Sequence, residues 1–308
     1  MNLIDLQIQS SVSDGKYSPR ELVIMAHDMR LTTISITDHD AVQGVSEAIN
    51  AGRELGVEVI SGIELSVDFH GKLLHILGLG IDVEDRALTA MLAKAVQDRE
   101  EGAIEMVRRL QEEGFSVTLE AVRSETHGGA IGRPHISEAV LKNPENREKL
   151  GSIRSMHEFI QAYLVEGKKT YVFREFPSAE KGIEVLHGAG GAAVWSHPAI
   201  HYAAVDAIES DLKKLISFGV DGVEAFHPMY GEDQTEYLLG KAKEYNLVVT
   251  AGSDFHREDD GYHKKDGGGS LASYSTYGFS TIDIIPKLKE RISSIRKNRD
   301  SVSRSQRV

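Results

Sequence analysis

Three polar residues share one face of the opening strand. In Leu3-Ile4-Asp5-Leu6-Gln7-Ile8-Gln9-Ser10 the apolar positions predict a short buried strand, and alternation with period two puts Asp5, Gln7 and Gln9 on the same side. A polar face on a buried strand belongs at the mouth of a barrel, and Ser13-Asp14-Gly15 supplies a turn just beyond it. Further on, apolar runs stop at Asp38-His39-Asp40, Gly62-Ile63-Glu64, Ser196-His197-Pro198, His227-Pro228 and Ser253-Asp254-Phe255-His256, and His75 lies within another strand. One histidine of this kind signifies little. Asp14, His39, Glu64, His75, His197, His227, Asp254 and His256 together point to a shared polar site, because such residues are rarely buried without a partner. Neutral imidazole and carboxylate are ligands for zinc, manganese and iron, so the chemistry indicated is that of a multinuclear metal cage. The chain has no cysteine, which removes thiolate ligands, disulfides and a cysteine nucleophile.

The elements that must carry these residues alternate. Pro19 opens a helix with Leu22, Val23, Ala26 and Met29 at helical spacing, Thr33–Thr37 is a strand, and Ala41–Leu55 is again helical. Val57–Ile60 starts a strand ending near Glu64, and Lys72–Leu79 follows as another. A long charged helix runs from about Asp85 to Glu113. The rhythm then breaks over 115–175, which holds shorter helical pieces and the tetrapeptide Gly132-Arg133-Pro134-His135. Beyond Pro177 it resumes with helix 178–188, strand 192–195, helix 205–218, strand 222–226, helix 232–245 and strand 247–251. Polar clusters at strand ends in such a pattern predict an α/β barrel with its chemistry at the carboxyl edge. The predicted organisation is a discontinuous barrel from 1–114 and 176–290, an inserted helical subdomain over 115–175, and a disordered basic tail over 291–308. The Gly-rich stretch 259–277 reads as a loop that could act as a lid.

Composition narrows the function classes. The 308 residues are 41% hydrophobic and 27% charged, with a net charge of −12, which argues against a surface that coats duplex nucleic acid. No apolar run approaches the roughly 20 residues of a membrane helix, and the first residues lack a signal-peptide layout, so a cytoplasmic protein is expected. Gly188-Ala189-Gly190-Gly191 leads into a strand where a dinucleotide fingerprint would leave one, and neither a P-loop nor a Gly-x-Ser-x-Gly elbow occurs.

In order, Ser13-Asp14-Gly15, Thr37-Asp38-His39-Asp40, Gly62-Ile63-Glu64, His75, Ser196-His197-Pro198 and Gly252-Ser253-Asp254-Phe255-His256 resemble the PHP (polymerase and histidinol phosphatase) superfamily of metal-dependent phosphoesterases. The resemblance covers residues 3 to about 290, and Gly132-Arg133-Pro134-His135 in an insertion is similar to the stand-alone nucleotide phosphoesterases. It implies a distorted seven-stranded, TIM-like (β/α)7 barrel with up to three metals. The family opens with Asp-x-His-x-His, whereas this chain has Gln7 and Gln9 at the histidine positions. By resemblance those two positions, with Glu64 and Asp254, hold one metal; Glu64, His75 and His197 hold a second; Asp14, His39 and His256 hold a third. An amide is a weaker ligand than imidazole for zinc or iron, so the expectation is two divalent metals (Mn, Zn or Fe) and an impaired first site.

The function so implied is hydrolysis of a small phosphorylated substrate, a nucleotide or an oligonucleotide end, with activity lowered by the lost site. Clustered metals supply a nucleophile at neutral pH and clamp phosphoryl oxygens. Asp254 is expected in the catalytic set, Arg133 and His135 on the substrate phosphate, and His227 either on phosphate, at the leaving oxygen, or as a partner orienting a ligand. Asp38 and Asp40 are read as groups orienting His39 or capping a helix. The competing reading is a degenerate PHP domain that binds a phosphorylated ligand or a partner without turnover.

Overall fold

The computed structural model describes residues 3–126, 131–173, 175–200, 202, 208–258 and 269–305. β1 (Ile4–Ile8) leads through α1 (Pro19–Asp28) to β2 (Thr33–Ile36), and α2 (Val45–Leu55) leads to β3 (Glu58–Phe69). β3 folds straight back into β4 (Lys72–Leu79). The hairpin turn places His70 and Gly71 at φ 53° and 81°, both left-handed, which suits the twist of a tight hairpin. α3 (Arg86–Glu112) then leaves the sheet, and α4 (Leu119–Glu125), α5 (Arg133–Lys142), α6 (Arg147–Leu150) and α7 (Met156–Tyr163) form the insertion. The alternation returns with α8 (Ala179–Gly188), β5 (Ala192–Trp195), α9 (Ile208–Ser217), β6 (Gly222–Phe226), α10 (Glu232–Glu244), β7 (Val248–Ala251) and α11 (Ile284–Ser305).

The seven strands lie in one sheet in chain order. β1, β2 and β3 are parallel, as are β5, β6 and β7, while β4 runs antiparallel to both its neighbours. His75 lies within β4, as its place in the sequence implies, opposite Ser66, and the reversal of β4 is what brings it to the same rim as Glu64. The sheet's outer edges are tied beyond β7, where Gln9 N–H donates to Phe255 O at 2.9 Å and Asp254 N–H donates to Gln7 O at 3.0 Å.

The main apolar cluster fills the space between β3–β7 and α8–α11, with Trp195, Phe226, Ile76 and Leu77 fully buried. A second unites Ile8, Ile34 and Ile36 with Leu22, Val23 and Ala26 of α1, whose start is fixed by a Ser18–Glu21 capping box with Pro19 in the first turn. A third belongs to the insertion. It contains Phe115, Val122, Ile136, Val140 and Phe159, and it also takes Ala103, Met106, Val107 and Leu110 from the second half of α3. Leu88 and Leu92 of the first half sit in the barrel core. One continuous helix, α3, thus supplies apolar residues to both cores.

The tail needs a larger correction. Residues 291–305 are not disordered; they continue α11. Ile292 is buried, Arg291 reaches Asp221 at 3.3 Å and Asn246 O at 2.7 Å, and Arg296 donates to Gly190 O at 3.2 Å and Gly80 O at 2.7 Å. The basic residues that make this segment look disordered satisfy carbonyls at the amino-terminal ends of the parallel strands. Of the Gly-rich stretch, 259–268 lies outside the described residues. Within 269–277, Ala272 N–H donates to Asp5 Oδ2 at 2.7 Å and Tyr274 Oη–H to Ile4 O at 2.8 Å, so that part is an anchored wall.

Candidate metal centre

Period two on β1 does aim Asp5, Gln7 and Gln9 inward, and all three are fully buried. Asp5 receives Ser253 N–H at 2.9 Å and Ser253 Oγ–H at 2.6 Å, which ties β1 to the loop after β7. Burial pushes its carboxyl up to about 6 against these hydrogen bonds. Gln7 Nε2–H donates to Asp254 Oδ1 at 3.2 Å, and Gln9 Nε2–H donates to Glu64 Oε2 at 2.6 Å.

Glu64 is the hub. Its Oε1 lies 3.1 Å from His75 Nδ1 and 3.0 Å from His197 Nε2, and those two nitrogens are 3.3 Å apart. Ser196 Oγ–H donates to the same oxygen at 3.2 Å. His39 Nδ1 approaches the other oxygen at 3.6 Å. Burial alone would raise the Glu64 carboxyl, but His39, His75 and His197 hold it well below the usual range. The same carboxylate outweighs burial at His75 and raises its imidazole. Ligand atoms of Asp14, His39 and His256 form a second group, all within 4.8 Å of one another. Burial would lift Asp14, but His256, His39 and His135 bring it down to about 2, while Asp14 and Asp254 overcome the burial of His256 and hold it at about 9.

Strained backbone gathers here. Asp40, His197 and Asp254 have φ of 52°, 32° and 52°, left-handed values at non-glycine residues that tend to occur where function constrains the chain. Asp38 receives Ser10 N–H and Ser10 Oγ–H at 2.7 Å each and Ser13 Oγ–H at 2.7 Å, and Asp40 receives Ser66 N–H at 2.8 Å. Asp38 thus ties the loop that carries His39 to Ser10 and Ser13, and Asp40 ties it to Ser66.

A cavity of about 330 Å³ opens over this cluster. Asp14, His39, His75, His197, Asp254 and His256 line its barrel side, and Arg133, Pro134 and His135 face them from the start of α5. Gly132 N–H donates to His135 Nδ1 at 2.9 Å, so a neutral ring carries its proton on Nε2. Burial lowers the His135 imidazole, which favours that neutral form. Met156, Ile160, Ile200 and Met229 make an apolar wall. His227 stands apart: it is 1% exposed, is not among the cavity's lining residues, accepts Met229 N–H on Nδ1 at 3.2 Å, and packs against His197 with ring centroids 6.1 Å apart. His227 thus lies behind His197, outside the lining of the cavity.

Sequence reasoning missed Arg99, Arg257 and Glu224. Arg99 reaches from α3 to Asp40 Oδ2 at 2.6 Å and to His39 O at 3.4 Å, and it lines the cavity with Arg257. Glu224 accepts His197 N–H at 2.9 Å from the inner face of β6. A carboxylate inside an otherwise apolar strand was the available signal for Glu224; no motif marks Arg99.

The description of the PHP domain matches residues 5–186 of this chain. The chain belongs to the PHP domain family. A 5'-3' exoribonuclease from Haemophilus influenzae is 30% identical over 252 residues, covering 82% of this chain and 89% of that protein. A 3',5'-nucleoside bisphosphate phosphatase from Chromobacterium violaceum is 30% identical over 259 residues, covering 84% and 88%. A solved structure from Bifidobacterium adolescentis, assigned as a metal-dependent phosphoesterase, superposes with a TM-score of 0.76 at 27% identity, covering 92% of this chain and 96% of that one. With these relatives, this PHP protein is a metal-dependent phosphoric ester hydrolase. Among the described residues, no helix is long and apolar enough to cross a membrane.

The residues present fit divalent metals. The donors are imidazoles and carboxylates at mutual distances of 3.0–3.3 Å in the Glu64, His75, His197 group. Asp14 Oδ1 is shielded from solvent, accepts no hydrogen bond among the described residues and lies 3.5 Å from His256 Nε2, so a cationic neighbour already suits it and a metal ion could take that place.

Proposed function

We propose that this PHP protein hydrolyses a phosphate ester of a nucleotide or of a phosphorylated oligonucleotide end, using two divalent metals, at a rate lowered by Gln7 and Gln9. The observation that carries the reading is the triangle of Glu64 Oε1, His75 Nδ1 and His197 Nε2, three atoms of ligand type 3.0–3.3 Å from one another. Glu64, His75 and His197 would hold one metal, and Asp14, His39 and His256 the other. Bound metals supply Lewis acidity and a nucleophile at neutral pH.

The protein's own groups do the rest. Arg133 presents a planar fork suited to two phosphoryl oxygens. His135, neutral and with its proton on Nε2, offers one further donor. The Met156, Ile160, Ile200 and Met229 wall excludes water from one side and offers an apolar surface to a nucleoside. The two relatives act, by their names, on RNA 5' ends and nucleoside bisphosphates, which supports a nucleotide as the substrate class. At the first site the amides of Gln7 and Gln9 hold Asp254 and Glu64 by hydrogen bonds. Those bonds keep the carboxylates ordered but supply no Lewis acid.

The test is release of inorganic phosphate or mononucleotide from a nucleoside 3',5'-bisphosphate and from 5'-phosphorylated RNA, after chelation and after restoring Mn2+. Turnover of either that vanishes with chelator and returns with Mn2+ supports the reading; no turnover of either with Mn2+ restored contradicts it.

A further inference from the structure

We propose that Glu224 is a positioning residue that holds His197 in its ligating pose through the backbone, by accepting a hydrogen bond and not by its charge. The inference rests on the reading of His197 as a metal ligand given above.

The chain leaves β5 at Trp195 and turns sharply. Ser196 N–H still donates to His75 O at 3.1 Å, and the next amide, His197 N–H, donates to Glu224 Oε2 at 2.9 Å. His197 has φ 32°, a left-handed conformation that glycine adopts readily and histidine does not. Pro198 follows and restricts the residue before it further. A backbone so placed persists only where its surroundings over-determine it. The side chain gains from that placement: His197 Nε2 lies 3.0 Å from Glu64 Oε1 and 3.3 Å from His75 Nδ1. A rotation of the Ser196–His197 peptide would carry the imidazole away from both.

The fold makes room for the carboxylate deliberately. Glu224 is fully buried on the inner face of β6, opposite Thr250 of β7. A Cβ on Gly252 would lie 2.5 Å from Glu224 Oε1 and 2.5 Å from Gln7 Cβ, so only glycine leaves the space into which Glu224 extends. Glu224 Oε1 has no hydrogen-bond partner among the described residues. What the site uses is therefore the reach of one acceptor oxygen. Burial, with Asp254 and Glu64 nearby, raises the Glu224 carboxyl well above the usual range; glutamine keeps the reach in a neutral group, and aspartate keeps the carboxyl while drawing the acceptor oxygen back by one methylene.

The experiment titrates metal-free protein with Mn2+ by calorimetry for the unmodified chain, Glu224→Gln and Glu224→Asp, with circular dichroism melts of the metal-free forms alongside. Glu224→Gln should bind Mn2+ within about threefold of the unmodified chain, and Glu224→Asp should lose about 10- to 100-fold in affinity, the usual effect of removing a group that orients a ligand. Equal binding by Glu224→Asp, or a loss in Glu224→Gln as large as in Glu224→Asp, overturns the proposal. Should Glu224→Asp fail to fold, Glu224→Gln decides alone: a tenfold loss overturns the proposal and retained affinity supports it. An unmodified chain that binds no Mn2+ overturns the metal reading itself, an outcome distinct from the others because it appears before any substitution is made.

Discussion

Gln9 Nε2 and Glu64 Oε2 are joined by a hydrogen bond of 2.6 Å inside the barrel, and Gln7 makes the matching bond to Asp254 at 3.2 Å. An amide thus stands on each carboxylate that the PHP resemblance assigns to the first metal. Replacing both, Gln7→His with Gln9→His, should add close to one metal equivalent per chain and raise phosphate release by about a hundredfold, since a Lewis acid acting mainly in the transition state contributes several kcal/mol. Elemental analysis and a phosphate assay read the two effects separately. A double variant unchanged in both would mean that this pocket serves another purpose.

Arg133 can contact phosphate but cannot ligate a metal. Arg133→Ala should raise KM by tenfold or more, about the 1.5–3 kcal/mol of a charged hydrogen bond, with bound metal unchanged. Loss of metal with KM intact would remove Arg133 from the substrate side.

Arg99 and Asp40 form a largely buried pair at 2.6 Å, with side chains 11% and 4% exposed. Arg99→Met leaves Asp40 without its partner, and a cost of about 3 kcal/mol in unfolding free energy is expected in denaturant titration. The change should also loosen α3 against the loop of His39, whose carbonyl Arg99 reaches at 3.4 Å. A variant as stable as the original would show that water replaces the guanidinium.

The metal-free protein should lose stability as pH rises from 7 to 9. His256, lowered by burial but raised more strongly by Asp14 and Asp254, titrates at about 9 when folded against about 6.5 for a free imidazole. A raised histidine stabilises fully below its unfolded value and loses that contribution as pH climbs through the folded one; at most a contribution on the order of 3 kcal/mol is at stake. His75 is raised as well and adds in the same direction. Asp5, at about 6, has finished titrating below this window. With Mn2+ bound the imidazoles have no proton to lose, so Tm should hold nearly level. A flat Tm in the metal-free protein would contradict the assignment.

How far the chain could be read depended on whether a signal was local. Period two on β1 put Gln7 and Gln9 in the interior, and residue types at strand ends brought Asp14, Glu64, His197 and His256 to one rim. The reversal of β4 was hidden because a His70-Gly71 hairpin and a crossover both separate two apolar runs, yet His75 still arrives at the rim. The end of α11 was misread because arginines that cap carbonyls of the barrel look, in composition alone, like a solvated tail. Arg99 could not be found by motif: its role depends on where α3 crosses the His39 loop, a long-range fact that no neighbouring residue records. His227 matched a ligand pattern in sequence, but it is buried behind His197 and does not line the cavity.

Metal content per chain, measured by elemental analysis on protein purified without chelator, addresses the two-metal centre most directly. The arrangement of Glu64, His75 and His197 beside Asp14, His39 and His256 predicts about two equivalents of Mn, Zn or Fe. A chain that purifies without metal, and takes up none when Mn2+ is supplied, would contradict the account.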